Sequence, residues 1–166
     1  MNSQAAEGGF EAMDECHRQI HTHLASLAAL SRQIGDDAVN EAASTQAATV
    51  EAFFSGTSRQ HHADEEKTVF PSLLASADAD LVAAVRSLQQ DHGWIEENWI
   101  ALAPQLRAIA QGNHWVDPAE FQHAAQVFVE LCEGHIALEE SLVYPEAKAR
   151  WAQALARRGQ MRAAVR

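Results

Sequence analysis

The 166-residue sequence has two cysteines, Cys16 and Cys132, too few for a disulfide framework and enough for one bridge at most. It has four prolines, eight glycines and a single tyrosine, and nothing in it alternates with the two-residue period of a strand. No apolar run approaches the roughly 20 residues of a spanning helix, so no membrane partner is expected. The N-terminal stretch MNSQAAEGGFEAMDECH has neither the basic start nor the apolar core of a secretory signal, and a soluble cytoplasmic protein is expected. Basic residues are scarce as well. Twelve Lys+Arg against 23 Asp+Glu leave a formal net charge of −11, which repels phosphate backbones and excludes general nucleic-acid binding. All the acids lie in residues 1–147, whereas residues 148–166 hold basic residues and no acid. That basic end reads as a last helix lying over its own acidic bundle.

What the sequence does have is apolar content of 47%, enough for one compact domain with a single core, and nine histidines. Alanine is abundant and apolar residues recur at three and four, the period of amphipathic helices. A first helix is predicted from after Gly8-Gly9 to near Gly35, with Met13, His17, Ile20, Leu24, Leu27 and Ile34 on one stripe. A second runs from after Asp36 to the Phe70-Pro71 break, although Gly56 weakens it. A third carries Leu81, Val85, Leu88, His92, Ile95, Trp99 and Leu102 up to Pro104, which should kink or end it. The fourth opens with Asp117 as cap, Pro118 at the first position and Glu120 three after the cap, and its stripe holds Phe121, Phe128, Cys132, His135, Glu139 and Leu142. A short fifth helix is expected from about Pro145. The fold class is therefore all-α: an antiparallel up-down-up-down four-helix bundle over residues 10–150, after a flexible stretch 1–9 and before a basic helix or tail 151–166.

An internal repeat sets the register. His61-His62-Ala63-Asp64-Glu65-Glu66, ending in Val69-Phe70-Pro71, aligns without a gap onto His135-Ile136-Ala137-Leu138-Glu139-Glu140, ending in Val143-Tyr144-Pro145. Upstream, His17-x2-Ile20 matches His92-x2-Ile95. A duplicated helix pair follows, and the repeat selects His61-x3-Glu65 over the rival His62-x3-Glu66. In that register His62 is turned about 100° away from His61 and its stripe.

Residues four apart on a helix point the same way, so each of two helices offers an imidazole and a carboxylate to one site. With His17 and His92 the interior gains two further imidazoles. Burying Glu65 and Glu139 unpaired would cost several kcal/mol, on the order expected for uncompensated carboxylates, and a bound cation removes that cost. Mixed imidazole and carboxylate donors suit iron, zinc or manganese rather than calcium or magnesium. Four imidazoles and two bridging carboxylates are too many donors for one tetrahedral zinc and suit two octahedral ions. The metal ligands are thus predicted to be His17, His61, Glu65, His92, His135 and Glu139. Zinc or nickel can replace iron in a recombinant sample, because divalent affinity order does not favour iron.

The residues His17, His61-x3-Glu65-Glu66 with Phe70-Pro71, His92, and His135-x3-Glu139-Glu140 with Tyr144-Pro145 resemble the hemerythrin HHE cation-binding family, over about residues 10–150. In ferritin-like di-iron bundles the order is reversed, with Glu ahead of His. The resemblance implies a non-haem di-iron centre, oxo- or hydroxo-bridged, with Glu65 and Glu139 bridging and the histidines terminal. It implies binding of oxygen or a related diatomic in oxygen or iron sensing, or in oxidative or nitrosative protection. Consumption of peroxide or nitric oxide, and iron storage or an iron-responsive interaction module, are the alternatives. The chain departs from the oxygen carriers at Glu96, four residues after His92, where a carrier has a second histidine. Glu96, and His21 four after His17, are additional candidates as ligands or as hydrogen-bond partners of ligands. If neither binds, four histidines leave two octahedral positions open, which favours oxidation of the iron over reversible oxygen carriage. Glu66 and Glu140 read as outer partners or surface groups, and Asp91 as a surface acid. His23, His114 and His123 join no constellation. Cys16 and Cys132 read as small buried hydrophobes, with a redox pair as the minority reading.

Overall fold

The structure, a computed structural model, describes residues 3–36, 39–113 and 115–164. All regular elements among them are helical. Helix α1 spans Ser3–Asp36. Helix α2 (Glu41–Phe53) runs through a wide π-turn (Phe54–Ser58) into α3 (Arg59–Thr68), and a short α4 (Phe70–Leu74) follows. Helix α5 spans Ala79–Ala110, and α6 (Pro118–Leu138) passes through a second π-turn (Glu139–Val143) into α7 (Tyr144–Ala164). The helix starts are sealed by short polar side chains that accept otherwise unpaired backbone N–H groups. Asn40 Oδ1 accepts from Ala43 N at 2.9 Å. Asp78 accepts from Asp80 and Leu81 N at 3.1 Å each. Asp117 accepts from Ala119 N at 2.8 Å and Glu120 N at 3.0 Å, with Pro118 at the first helical position as its sequence predicts.

Three boundaries differ from the sequence expectation. Helix α1 begins at Ser3, ahead of Gly8-Gly9; an interior glycine costs about 1 kcal/mol against alanine, which weakens a long helix without stopping it. Helix α5 continues through Pro104 to Ala110. The carbonyl that loses its partner there belongs to Ile100, a residue 60% exposed, where water can serve instead. The last helix is not short: α7 extends over 21 residues. In its first turns Lys148 Nζ donates to Asp14 of α1 at 2.8 and 2.9 Å and Arg150 Nη2 donates to Ser76 at 2.7 Å. His114 lies outside the described residues.

Helix α1 packs against α2 and α6, and α5 packs against the same two, so the four close a ring. The ring encloses two apolar clusters. One contains Leu24, Leu27, Leu30, Val50, Phe54, Trp99, Leu106 and Phe128. The other contains Val69, Phe70, Leu73, Leu81, Val85, Leu88, Val143 and Tyr144. Each fully buried Leu, Val or Phe contributes about 1.5–3 kcal/mol, and it is this apolar burial that sustains the polar band lying between the clusters. That band holds the buried His17, His61, Glu65, His135 and Glu139.

Candidate metal centre

Four helical segments point donors into the band: α1 supplies His17, α3 supplies His61 and Glu65, α5 supplies His92, and α6 supplies His135, with Glu139 at the first position of the second π-turn. The histidines form two pairs. His17 Nε2 lies 3.1 Å from His61 Nε2, and His92 Nε2 lies 3.2 Å from His135 Nε2. Two donors held cis on an octahedral ion with bonds near 2.1 Å stand roughly 3.0 Å apart, so both pairs have the spacing of shared ligation.

The carboxylates each span the two pairs. Glu139 turns Oε2 to His17 Nε2 at 3.2 Å and Oε1 to His135 Nε2 at 3.0 Å. Glu65 turns Oε1 to His61 Nε2 and Oε2 to His92 Nε2, both at 3.4 Å. The result is two donor sets, His17–His61–Glu65–Glu139 and Glu65–His92–His135–Glu139, each with ligand atoms within 4.8 Å of one another. Either set can hold a metal ion. Several of these atoms need one: Glu65 Oε2, both oxygens of Glu139 and His135 Nδ1 are buried without an aligned hydrogen bond. Such groups are costly to leave unpaired, and a cation between the sets would satisfy the three oxygens.

The surroundings orient the rings. His17 Nδ1 faces Glu140 Oε1 at 3.2 Å and His92 Nδ1 faces Glu66 Oε1 at 3.0 Å. A proton held at each Nδ1 leaves the Nε2 lone pair directed inward, as a metal ligand requires. Gln89 Nε2 in turn donates to Glu66 at 2.7 Å. Glu66 and Glu140 therefore serve as hydrogen-bond partners of the rings, one for each pair. Asp91 Oδ2 stands 3.7 Å from His135 Nδ1, close to the site across helices though beyond a hydrogen bond.

Electrostatics match this geometry. Burial pushes the Glu65 carboxyl up to about 7, against the nearby His92 imidazole and the Tyr144 hydrogen bond that favour its ionised form. Burial opposes ionisation of Glu139 too, but the close imidazoles of His135 and His17 outweigh it and hold Glu139 well below the usual carboxylate range. Burial also depresses His17 and His92, yet their close contacts with Glu139 and Glu65 respectively win and raise both. His61, depressed first by burial and then by the neighbouring His17, falls to about 4. Without metal the band is thus held together by protons shared between imidazoles and carboxylates.

Sequence reasoning missed two members of the site. Tyr144 donates its hydroxyl to Glu65 Oε1 and stacks on His17 with centroids 4.8 Å apart. Its counterpart Phe70 stacks on His92 at 5.6 Å with no hydroxyl to give. The signal was available: the only tyrosine of the chain stands where the other repeat has phenylalanine. The second is His62, which folds inward rather than away. Its ring stacks on His92 at 4.3 Å, and burial, then His92 and His135, push it well below the usual imidazole range. The preceding π-turn takes up about one extra residue, which sets the helix back and brings His62 round from the flank.

The remaining candidates lie elsewhere. Glu96 is half-buried and pinned to Arg59, whose Nε donates to it at 2.9 Å. His21 is half exposed, 4.0 Å from Glu140. Neither belongs to a donor set. His23 stacks on Phe53 at 4.0 Å and His123 is exposed. Both cysteines are buried and free; burial pushes Cys16 up to about 11 and Cys132 higher still, which favours the protonated thiol in each. A cleft of about 590 Å³, lined by Met13, Cys16, Gly56, Gln60, His61 and Asp64, leads from the surface to His61.

The chain is 27% identical over 133 residues to an uncharacterized protein of Haemophilus influenzae, covering 80% of this chain and 74% of that relative. Residues 8–147, which contain every donor described above, match the family described as the hemerythrin HHE cation binding domain. The residues of its polar band could hold a cation, and the chain belongs to the hemerythrin HHE cation-binding domain family.

Proposed function

We propose that the protein is a cytoplasmic non-haem di-iron protein that binds oxygen or a related diatomic, in oxygen or iron sensing or in oxidative or nitrosative protection. The observation that carries this reading is the pair of carboxylates, Glu65 and Glu139, each with one oxygen turned to either histidine pair. His17 and His61 would hold one iron, His92 and His135 the other, with both carboxylates bridging. The equivalence of the two halves supports a duplicated helix pair in an up-down-up-down bundle. Iron in such a site supplies electrons one at a time and affinity for a small diatomic ligand.

The residues of the chain do the rest. Glu66 and Glu140 face Nδ1 of His92 and His17, so that each ring can keep a proton there and turn its inward nitrogen to a metal that displaces the inner proton. Tyr144 holds a proton at Glu65 Oε1. The apolar clusters on either side exclude bulk water, while the cleft to His61 admits small molecules. Anaerobic reconstitution with ferrous iron, metal counting, and optical spectra before and after oxygen test the reading. Two irons per chain and an oxygen-dependent spectrum are expected. A limit of one iron under saturating conditions would refute the dinuclear assignment.

A further inference from the structure

Position 96, where α5 would offer a second imidazole, holds a glutamate tied to Arg59 on the outside of the bundle. The structure fills the gap from another helix. His62 of α3, His92 of α5 and His135 of α6 have ligand atoms within 4.8 Å of one another, a third donor set beside the two already described. The ring centroids are 4.3 Å apart for His62–His92, 4.7 Å for His92–His135 and 5.5 Å for His62–His135. Two imidazoles bound cis to one octahedral ion have centroids roughly 4.5 Å apart, given bonds near 2.1 Å. The His17–His61 pair stands at a similar 4.9 Å with its rings crossed at 80°, whereas His62 lies within 20° of parallel to His92, so the His62 ring must turn about its side-chain bonds to bring its nitrogen to a shared ion. His61 and His62, though consecutive, diverge: their rings are 5.7 Å apart, and each joins a different pair.

We propose that His62 is a metal ligand, the third imidazole of the ion held by His92 and His135. It rests on the two-ion reading above and makes the two positions unequal, with three imidazoles on one and two on the other. The four-histidine count then rises to five, and of the two positions left open by that count only one remains. The competing explanation is that His62 is a packing residue stacked on His92, and a phenylalanine would preserve that stack.

The full-length protein, free of metal, is loaded anaerobically with Co(II). Wild type is expected to take two ions and to show five exchangeable, hyperfine-shifted imidazole N–H protons by NMR. His62→Phe should melt like wild type without metal, bind one of its two Co(II) ions about 100-fold more weakly or worse, beyond the 10–100-fold typical of outer partners, and show four such protons. His62→Ala should behave likewise and regain the second ion when free imidazole is added, which covers the case of a Phe variant that does not fold. Either variant binding both Co(II) ions with wild-type affinity overturns the proposal. A wild-type limit of one Co(II) overturns the two-ion reading instead.

Discussion

Tyr144→Phe isolates a single hydrogen bond at the centre of the site. The ring that stacks on His17 is kept, and Phe70 shows that a phenylalanine fits the equivalent place against His92. Only the hydroxyl on Glu65 Oε1 is lost. A hydrogen bond to a charged group contributes about 1.5–3 kcal/mol, and here its loss leaves a buried carboxylate oxygen without the partner it had. For a chain of this size that corresponds to a fall in Tm of roughly 3–12 °C for the metal-free protein. The hydroxyl favours the ionised carboxylate, so its removal raises Glu65 further above about 7, by on the order of one pKa unit. Metal must then displace a proton over a wider pH range, and affinity at pH 7 falls about fivefold, while at pH 9 the variant approaches wild type. Calorimetric melting with and without metal, and Zn(II) competition titrations at several pH values, read both effects. An unchanged Tm together with a pH-independent affinity ratio would refute the role given to this hydroxyl.

Two further outcomes follow from the same geometry. Glu66→Gln and Glu140→Gln should each weaken metal binding about 10–100-fold by releasing a ring nitrogen from its acceptor, whereas His21→Ala and Glu96→Ala should bind as wild type in the same competition titration; the reverse ranking would sink the placement of these residues. The raised Glu65, His17 and His92 all carry protons in the metal-free protein below their shifted values, so metal competes with those protons as pH falls, at Glu65 through about 7. The difference in Tm between loaded and metal-free protein should therefore shrink from pH 8 to pH 5.5, and a difference that grows toward acid would contradict the sign.

The helical class, the caps at Asp117 and Pro118, and the inward direction of His61 with Glu65 and of His135 with Glu139 were legible in the sequence alone. All are local: a cap acts within one turn, and residues four apart share a face whatever lies opposite. The matched spacing of the repeat carried this to His17 and His92. What local rules could not reach was decided by neighbours distant in the chain. Pro104 stays inside α5 because the carbonyl it orphans belongs to the exposed Ile100. Glu96 is drawn outward by Arg59, 37 positions away. Tyr144 reaches Glu65 across 79 positions, through a hydroxyl whose direction no periodicity specifies. His62 reaches the interior because the π-turn at Phe54–Ser58 sets its helix back, and because His92 and His135, from two other helices, present ring faces and edges where it arrives. Sequence spacing determines which residues of one helix share a direction; which side chains meet depends on rotations and packing between helices, and those exist only once the bundle has closed.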